Sequence, residues 1–246
     1  MLKLPGKLYR KDYTGEEIVQ ERVMESGQWT TTTESVPNNV TNNQISNRAI
    51  VFGNGTGRES FDVKHLLTTK SGLLGADTLQ SYACNAFYRD YTADFLVITH
   101  RDIANEISKT QYLSDNIVYT RVDISLEFPK KFYLIPHDPY ADAGTTAAYI
   151  AAFDGHKKIY LMGFNGQDTP GYNDNVYAGT NGYAPTTATI DDQKWINNLR
   201  QLISVYDDVD FVRVMPMDSY RMPEPWKYIL NLRQIDFRQF ALEVDL

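Results

Sequence analysis

Five clusters of glycines and polar residues follow predicted strands, and they hold the side chains best suited to ligand binding. The clusters are residues 53–58, 84–90, 100–102, 136–146 and 163–168. Ligands of open α/β sheets bind outside the carboxyl ends of the strands. Because all five clusters would lie at that edge, the sequence predicts one composite binding site.

The first cluster, Gly53-Asn54-Gly55-Thr56-Gly57-Arg58, has the composition of a phosphate-binding turn. Glycines let the backbone approach an anion closely, and free N–H groups can then donate to it. The spacing matches neither the dinucleotide fingerprint nor the P-loop. A tight strand-to-helix turn, in which glycines supply positive φ, is therefore an equal alternative.

Three further polar residues are candidates for nucleotide binding. Asn85 follows a predicted strand, and its amide can donate and accept toward a base or a sugar, or cap the turn instead. Thr145 and Thr146 open an alanine-rich predicted helix, where hydroxyls suit a phosphate or an ordinary N-cap equally well. Cys84 is typical of a small buried apolar residue rather than a nucleophile.

A long irregular segment, residues 165–190, follows the last cluster, and we call it the lid segment. Loops longer than about 12–15 residues in compact domains usually have a function. Tyr172 and Tyr177 within it are candidates for contacts to a phosphate or sugar. A segment that packs only on its own chain or on a neighbouring subunit is the alternative.

The sequence predicts no metal site. His137, Asp138 and Asp142 lie in one loop, but a single histidine and two aspartates are not a specific ligand set. The pair Asp208 and Asp210 precedes a predicted strand, at the wrong end of the sheet, and is typical of a solvated turn.

Alternating strands and helices must position these residues. Strands are predicted over residues 49–52, 79–83, 95–99, 117–120, 132–135, 159–162 and 211–214, and helices over 103–108, 145–153 and 191–205. This alternation predicts a Rossmann-like α/β domain over residues 48–246, with a mostly parallel sheet covered by helices on both faces.

Residues 1–47 differ in composition and predict an N-terminal β-rich arm. A hairpin is predicted around Thr14-Gly15, followed by an extended segment rich in threonine and asparagine. An arm with so little to bury is expected to dock on its own domain, on a protein partner or on another copy of the chain.

Composition and charge narrow the class of protein. The 246 residues carry a net charge of −7, which argues against a nucleic-acid partner. A single cysteine rules out an internal disulfide and a Cys-based zinc site. The first residues lack the apolar core of a signal peptide, and the longest helix-like apolar stretch, 147–153, is far below the ~20 residues of a membrane span. We expect a soluble protein that is not secreted.

Three short motifs, at 53–57, 84–88 and 145–164, occur in an order that resembles the bacterial sialyltransferases of glycosyltransferase family 42. The resemblance covers residues 49–170 and implies a single Rossmann-like domain that uses CMP-sialic acid without a metal or other cofactor. It implies that Asn54 and Asn85 contact the nucleotide and that Thr145 and Thr146 hold it near the helix start. Tyr172 or Tyr177 would approach the phosphate.

The general base of that family has no counterpart in this sequence. The family places a histidine in the lid, whereas the last histidine of this chain is His156. A base is needed to deprotonate the acceptor hydroxyl. His137 and Asp168 are the candidates to replace it.

The arm and residues 154–172 also resemble uncharacterised proteins of tailed phages that infect marine cyanobacteria. The sequence therefore supports two hypotheses. The first is a glycosyltransferase-like protein that binds a nucleotide sugar such as a CMP-sugar and transfers the sugar to an acceptor hydroxyl. The second is a catalytically inactive structural or adaptor protein of a phage virion that assembles through its arm. Its location would be the host cytoplasm or the virion.

Overall fold

The structure is a computed structural model, and it describes residues 7–11, 17–25, 28–36, 46–73, 75, 77–166, 173–188, 193–217 and 221–246. The chain divides into two compact units, residues 1–44 and 45–246. Of the predicted features, the turn at 14–15, the asparagine-rich tract at 37–43, Asp168 and Tyr172 lie outside the described residues.

The first unit contains a three-stranded antiparallel sheet. Its strands are β1 (Lys7–Lys11), β2 (Glu17–Glu25) and β3 (Gln28–Val36), with β2 in the centre. The four consecutive threonines at 30–33 lie in β3, and β-branched side chains suit a pleated strand.

The second unit contains an eight-stranded sheet in which every neighbouring pair is parallel. The strands are β4 (Arg48–Phe52), β5 (Gln80–Cys84), β6 (Phe95–Ile98), β7 (Ile117–Thr120), β8 (Tyr133–Leu134), β9 (Lys158–Met162), β10 (Asp210–Met215) and β11 (Leu232–Asp236). Their order is β11-β10-β9-β4-β5-β6-β7-β8. The chain winds outward from β4 in one direction and then from β9 in the other. The order therefore reverses between β4 and β9.

Seven helices connect or follow these strands in the described residues. They are α1 (Val63–Lys70), α2 (Arg101–Ile107), α3 (Tyr112–Asp115), α4 (Val122–Glu127), α5 (Ala143–Phe153), α6 (Gln193–Val205) and α7 (Phe237–Val244). None of these described helices has the length and hydrophobicity that a membrane crossing requires.

Both faces of the sheet are covered by helices. Along β4, Ala49 and Val51 belong to a core that includes the buried sides of α5 and α6. Ile50 and Phe52 belong to a second core, which includes residues of α1, α2 and α7. Because successive side chains of a strand point to opposite faces, this division places the helices on both sides. The predicted Rossmann-like α/β fold is confirmed.

Candidate functional site

A cavity of about 230 Å³ lies at the carboxyl ends of β4, β5 and β9. Ligands of open α/β sheets bind where the strand order reverses, and here that point lies between β4 and β9. The lining residues come from four of the five predicted clusters, from the lid segment and, in the case of Trp195, from α6. They are Gly53, Asn54, Gly55, Cys84, Asn85, Asp142, Ala143, Gly144, Gly163, Phe164, Asn165, Gly166, Asn173, Asp174, Asn175, Tyr183 and Trp195.

The described lining of this cavity is rich in side-chain amides. None of the described lining residues is a lysine, an arginine or a histidine. Two carboxylates, those of Asp142 and Asp174, belong to the described lining, and the sequence from 159 to 193 contains no basic residue. The cavity therefore favours a ligand that is uncharged or that donates hydrogen bonds.

Three N–H groups of the glycine-rich turn after β4, those of Gly53, Gly55 and Thr56, are bonded within the protein. Gly53 N–H donates to the Met162 carbonyl at 2.8 Å, and Gly55 N–H donates to the Gly163 carbonyl at 2.9 Å. Thr56 N–H donates to the Asp174 carboxylate at 3.3 Å. The turn thus joins β4 to β9 and to the lid segment in this structure.

The glycines of this turn are required by close packing. A Cβ on Gly53 would lie 2.5 Å from the Gly163 carbonyl oxygen, and one on Gly163 would lie 2.6 Å from the Gly53 oxygen. The side-chain amide of Asn165 lies over Gly55 and Gly57, where added Cβ atoms would approach it to 2.7 and 2.5 Å. The space that a phosphate-binding turn would offer to an anion is filled by Asn165.

Asn54 presents a buried hydrogen-bond acceptor to the cavity. Its Nδ2 donates to the Tyr183 hydroxyl at 3.0 Å and points toward the Cys84 carbonyl at 3.4 Å. Its Oδ1 is buried and has no partner among the described residues. An unsatisfied buried acceptor is costly, so this atom is suited to a donor group of a ligand.

Asn85 presents a donor at the end of the neighbouring strand. It adopts a left-handed conformation with φ of 46°, which asparagine tolerates better than most residues. Its Oδ1 accepts the Thr99 N–H at 3.1 Å, which fixes the orientation of the amide. Its Nδ2 has no partner in the described part of the chain, so it can donate to a ligand acceptor.

Asp142 is the carboxylate at the start of α5. Its Oδ1 accepts the Thr145 N–H at 2.9 Å, and its Oδ2 accepts the Thr145 hydroxyl at 2.7 Å, so it is the N-cap of the helix. Burial raises the pKa of Asp142, although the hydrogen bonds from Thr145 act in the opposite direction. A lining carboxyl with a raised pKa is a candidate general base.

Thr145 and Thr146 stabilise the first turn of α5 and do not line the cavity. The Thr146 hydroxyl donates to the Asp142 carbonyl at 2.8 Å, while the Thr145 hydroxyl donates to the Asp142 carboxylate. Both threonines are buried. The structure therefore places them directly behind the cavity wall, with their hydroxyls engaged.

Tyr177 fastens the lid segment to the domain. Its hydroxyl accepts from Arg58 at 3.1 Å and donates to the Asp90 carboxylate at 2.8 Å. Burial raises the pKa of Tyr177. The Arg58 guanidinium is itself buried and also donates to the Gly53 carbonyl at 3.1 Å. Tyr177 therefore lies beside the cavity and outside its lining.

The lid segment is also attached to the ion pair between Arg89, which follows β5, and Glu106 of α2. Two of the three guanidinium nitrogens, Nε and Nη2, donate hydrogen bonds of 2.7 Å to the Glu106 carboxylate. Arg89 also donates to the Thr180 hydroxyl at 2.7 Å, and Asn181 donates to Glu106 at 2.6 Å. The hydrogen bonds from Arg89 lower the pKa of Glu106 to about 2.

His137 lies outside the cavity. The centroid of its exposed ring lies 6.3 Å from that of Phe153, which is the last residue of α5. The cavity lies at the other end of that helix, at its first turn. An eleven-residue helix separates those ends by about 15 Å. Asp138 pairs with Arg121 at 3.1 Å. In the described part of the chain, no three acidic, histidine or cysteine side chains form a metal-binding group.

The sequence did not single out Asn165 or Asp174, and it indicated Asp142 only as a member of a weak cluster. The sequence could have indicated Asp142 as the N-cap of α5, because aspartate is a preferred N-cap residue and Asp142 directly precedes that helix. Asn165 belonged to the fifth cluster but was not selected. Asp174 gave no signal, since its partner Thr56 is 118 positions away.

No protein-family model, curated protein or solved structure matches this chain.

Proposed function

We propose that the protein is glycosyltransferase-like: it binds a nucleotide sugar and transfers the sugar to an acceptor hydroxyl. The observation that carries the proposal is the pair Asn54 Oδ1 and Asn85 Nδ2. They are an acceptor and a donor, without partners in the described residues, at neighbouring strand ends of one cavity. A base or a sugar offers the complementary groups to both.

Aromatic side chains complete the walls of the cavity. Phe164, Tyr183 and Trp195 line it beside the asparagines. Flat apolar faces next to amides suit a nucleoside or a sugar ring, since each has apolar faces and polar edges. The volume of about 230 Å³ is slightly below the usual ligand-pocket range of ~300–1,000 Å³, so it suits one such ring system.

Asp142 is the proposed base. Its carboxylate takes the proton of the acceptor hydroxyl while the acceptor oxygen forms a bond to the anomeric carbon. The bond from that carbon to the donor phosphate breaks, and the nucleotide leaves with the electron pair. A pKa raised by burial brings the carboxyl closer to the range in which a base works at neutral pH. The resemblance to family 42 implies a CMP-sugar as donor.

Calorimetry with a panel of nucleosides, nucleotides and nucleotide sugars tests the binding site. Asn85→Asp keeps the acceptor for Thr99 N–H and removes the Nδ2 donor, so we expect at least tenfold weaker binding. Asn197→Ala, on the exposed side of α6, is the matched control and should bind normally. Failure of the unaltered protein to bind any of these compounds would show that the proposed function is wrong.

Sugar transfer is tested separately with Asp142→Asn. Asparagine is as good an N-cap as aspartate, so the helix should remain intact while the base is lost. We expect transfer to fall about 10²–10⁴-fold, the usual contribution of a general base, with little change in donor binding. Transfer at the normal rate would assign the base to another residue.

The virion-protein hypothesis is the second candidate, and it is supported by the separate unit formed by residues 1–44. Among the described residues β1 and β3 each pair with β2 alone, and an unpaired strand edge is a template for pairing with another chain. Light scattering of the full-length protein tests self-assembly. A strictly monomeric protein at all concentrations would exclude an oligomer held by this unit.

A further inference from the structure

Asp174 lies in the lid segment, and its carboxylate accepts hydrogen bonds from the glycine-rich turn and from Asn165. Its carboxylate accepts Thr56 N–H at 3.3 Å and Asn165 Nδ2 at 2.6 Å, and it also accepts the Thr56 hydroxyl. These donors come from two turns, one after β4 and one after β9. Several N–H and O–H donors that converge on one carboxylate are the kind of arrangement that holds an anion.

The described lining of the cavity is acidic, and the nearby guanidiniums of Arg58 and Arg213 are bonded to backbone carbonyls. The described lining contains Asp142 besides Asp174 and no basic side chain. Arg58, the cation of the glycine-rich turn, donates to Gly53 and Tyr177 and does not line the cavity. A phosphate inside the cavity would lie beside the carboxylates of Asp142 and Asp174, whose negative charges oppose it.

We infer that Asp174 determines specificity by occupying the anion position of the glycine-rich turn. The cavity then takes the uncharged part of its ligand, a nucleoside or a neutral sugar ring, and leaves any phosphate outside. The choice of nucleosides as probes rests on the proposed function. The inference also differs from what the resemblance implies, because the carboxylate of a sialic acid would meet the same negative surroundings.

Binding of nucleosides and their 5′-monophosphates, measured by calorimetry, tests this inference. For the unaltered protein we expect the dissociation constants of cytidine and CMP to agree within about twofold, and likewise for uridine and adenosine. Asp174→Ala removes the carboxylate that accepts from Thr56 N–H and Asn165 Nδ2. It should therefore bind CMP about tenfold tighter than cytidine, as expected from removing one nearby like charge in a half-buried site.

Two controls make the comparison specific. Asp115→Asn removes the same charge from a residue that precedes β7, at the opposite edge of the sheet, and should leave the cytidine-to-CMP ratio unchanged. Binding of inorganic phosphate, followed by phosphorus NMR, provides a second measurement for Asp174→Ala. The circular dichroism spectrum and melting temperature of that variant establish that it is folded.

Each result decides between the two proposals. If the unaltered protein binds CMP at least tenfold tighter than cytidine, this inference is overturned and the proposed function stands. If it binds neutral monosaccharides but no nucleoside or nucleotide, the inference stands and the proposed function fails. A folded Asp174→Ala variant that gains no affinity for CMP or phosphate overturns the inference. If no ligand of any class binds, both are wrong.

Discussion

The Nδ2 atom of Asn165 donates a 2.6 Å hydrogen bond to the Asp174 carboxylate, and this bond joins the turn after β9 to the lid segment. Since a carboxylate only accepts hydrogen bonds, the bond also fixes the orientation of the Asn165 amide. The amide lies over Gly55 and Gly57. One side chain therefore fills the glycine-rich turn and positions the residue that completes the cavity.

Replacing Asn165 should loosen the lid segment. Asn165→Ala leaves the Asp174 carboxylate with one donor fewer and empties the space over the turn, so we expect a loss of about 1–3 kcal/mol in local stability. The readout is hydrogen exchange of the Val176 N–H, which bonds to the Asn54 carbonyl at 2.8 Å. Its exchange should quicken at least fivefold, while Asn197→Ala should leave it unchanged. Equal exchange in both variants would contradict the prediction.

Gly53→Ala should destabilise the domain for steric reasons. Its Cβ would lie 2.5 Å from the Gly163 carbonyl oxygen, and backbone cannot move away cheaply. We expect a loss of about 2–4 kcal/mol in the free energy of unfolding, comparable with severe overpacking. Gly155→Ala is the comparison, because it has a φ of 93° but no atom within 4 Å of the added Cβ. It should cost about 1–2 kcal/mol, the penalty for a Cβ at a positive φ, and a similar cost for both would refute the steric explanation.

Stability should fall in acid as the Arg89–Glu106 pair is lost. The pKa of Glu106 is lowered from 4.5 to about 2, and the hydrogen bonds from Arg89 are the largest cause. The unfolded chain therefore binds the proton more readily than the folded protein. The ion pair contributes fully to the free energy of unfolding above pH 4.5, and this contribution disappears as the pH falls toward 2. We expect about 1–2 kcal/mol, because solvent screens a partly exposed pair. Urea unfolding of Glu106→Gln should show a shallower pH dependence in this range.

His156 should remain neutral well below its usual pKa. Burial lowers the pKa of His156 to about 4 from 6.5. Its Nδ1 lies 2.6 Å from the Ser46 carbonyl, and its Nε2 lies 2.6 Å from Gln80 Oε1. The unfolded state takes up the proton first, so stability is lost as the pH falls from 6.5 to 4. An imidazole titration by NMR should give a midpoint near 4, and a midpoint near 6.5 would contradict the packing described.

Cys84 should be unreactive in the folded protein. Burial raises the pKa of the Cys84 thiol to about 12, and the charge of Asp142 acts in the same direction. Because the thiolate is the reactive form, alkylation by iodoacetamide at pH 8 should be at least a hundredfold slower than in urea. A rapid reaction of the native protein would show that the thiol is accessible from the cavity.

The sequence predicted most of the sheet because its strands are continuous apolar runs. Seven of the eight parallel strands lie at predicted positions. The exception is β11, which reads Leu-Arg-Gln-Ile-Asp and buries only Leu232 and Ile235, so it has neither an apolar run nor a period of two. Helix α7 was missed although its capping box, Asp236 with Gln239, could be read from the sequence.

The site was predicted only where neighbouring strand ends determine it. Asn54 and Asn85 line the same cavity because β4 and β5 are adjacent and parallel. The contact between Thr56 and Asp174 joins residues 118 positions apart, and no spacing rule connects them. The glycine-rich turn suggested an anion site, whereas the structure fills it with Asn165 and Asp174. Packing between distant segments decided the difference.

The absence of basic residues from 159 to 193 has a consequence for proteolysis. Trypsin cleaves after lysine and arginine, so it has no site between Lys158 and Lys194, and the whole lid segment leaves a complete digest in one peptide. Resistance of this region to trypsin is then a property of its composition and says nothing of its mobility. Aromatic residues do occur there, among them Tyr177 and Tyr183, so chymotrypsin is the protease whose cleavage would report when the segment detaches.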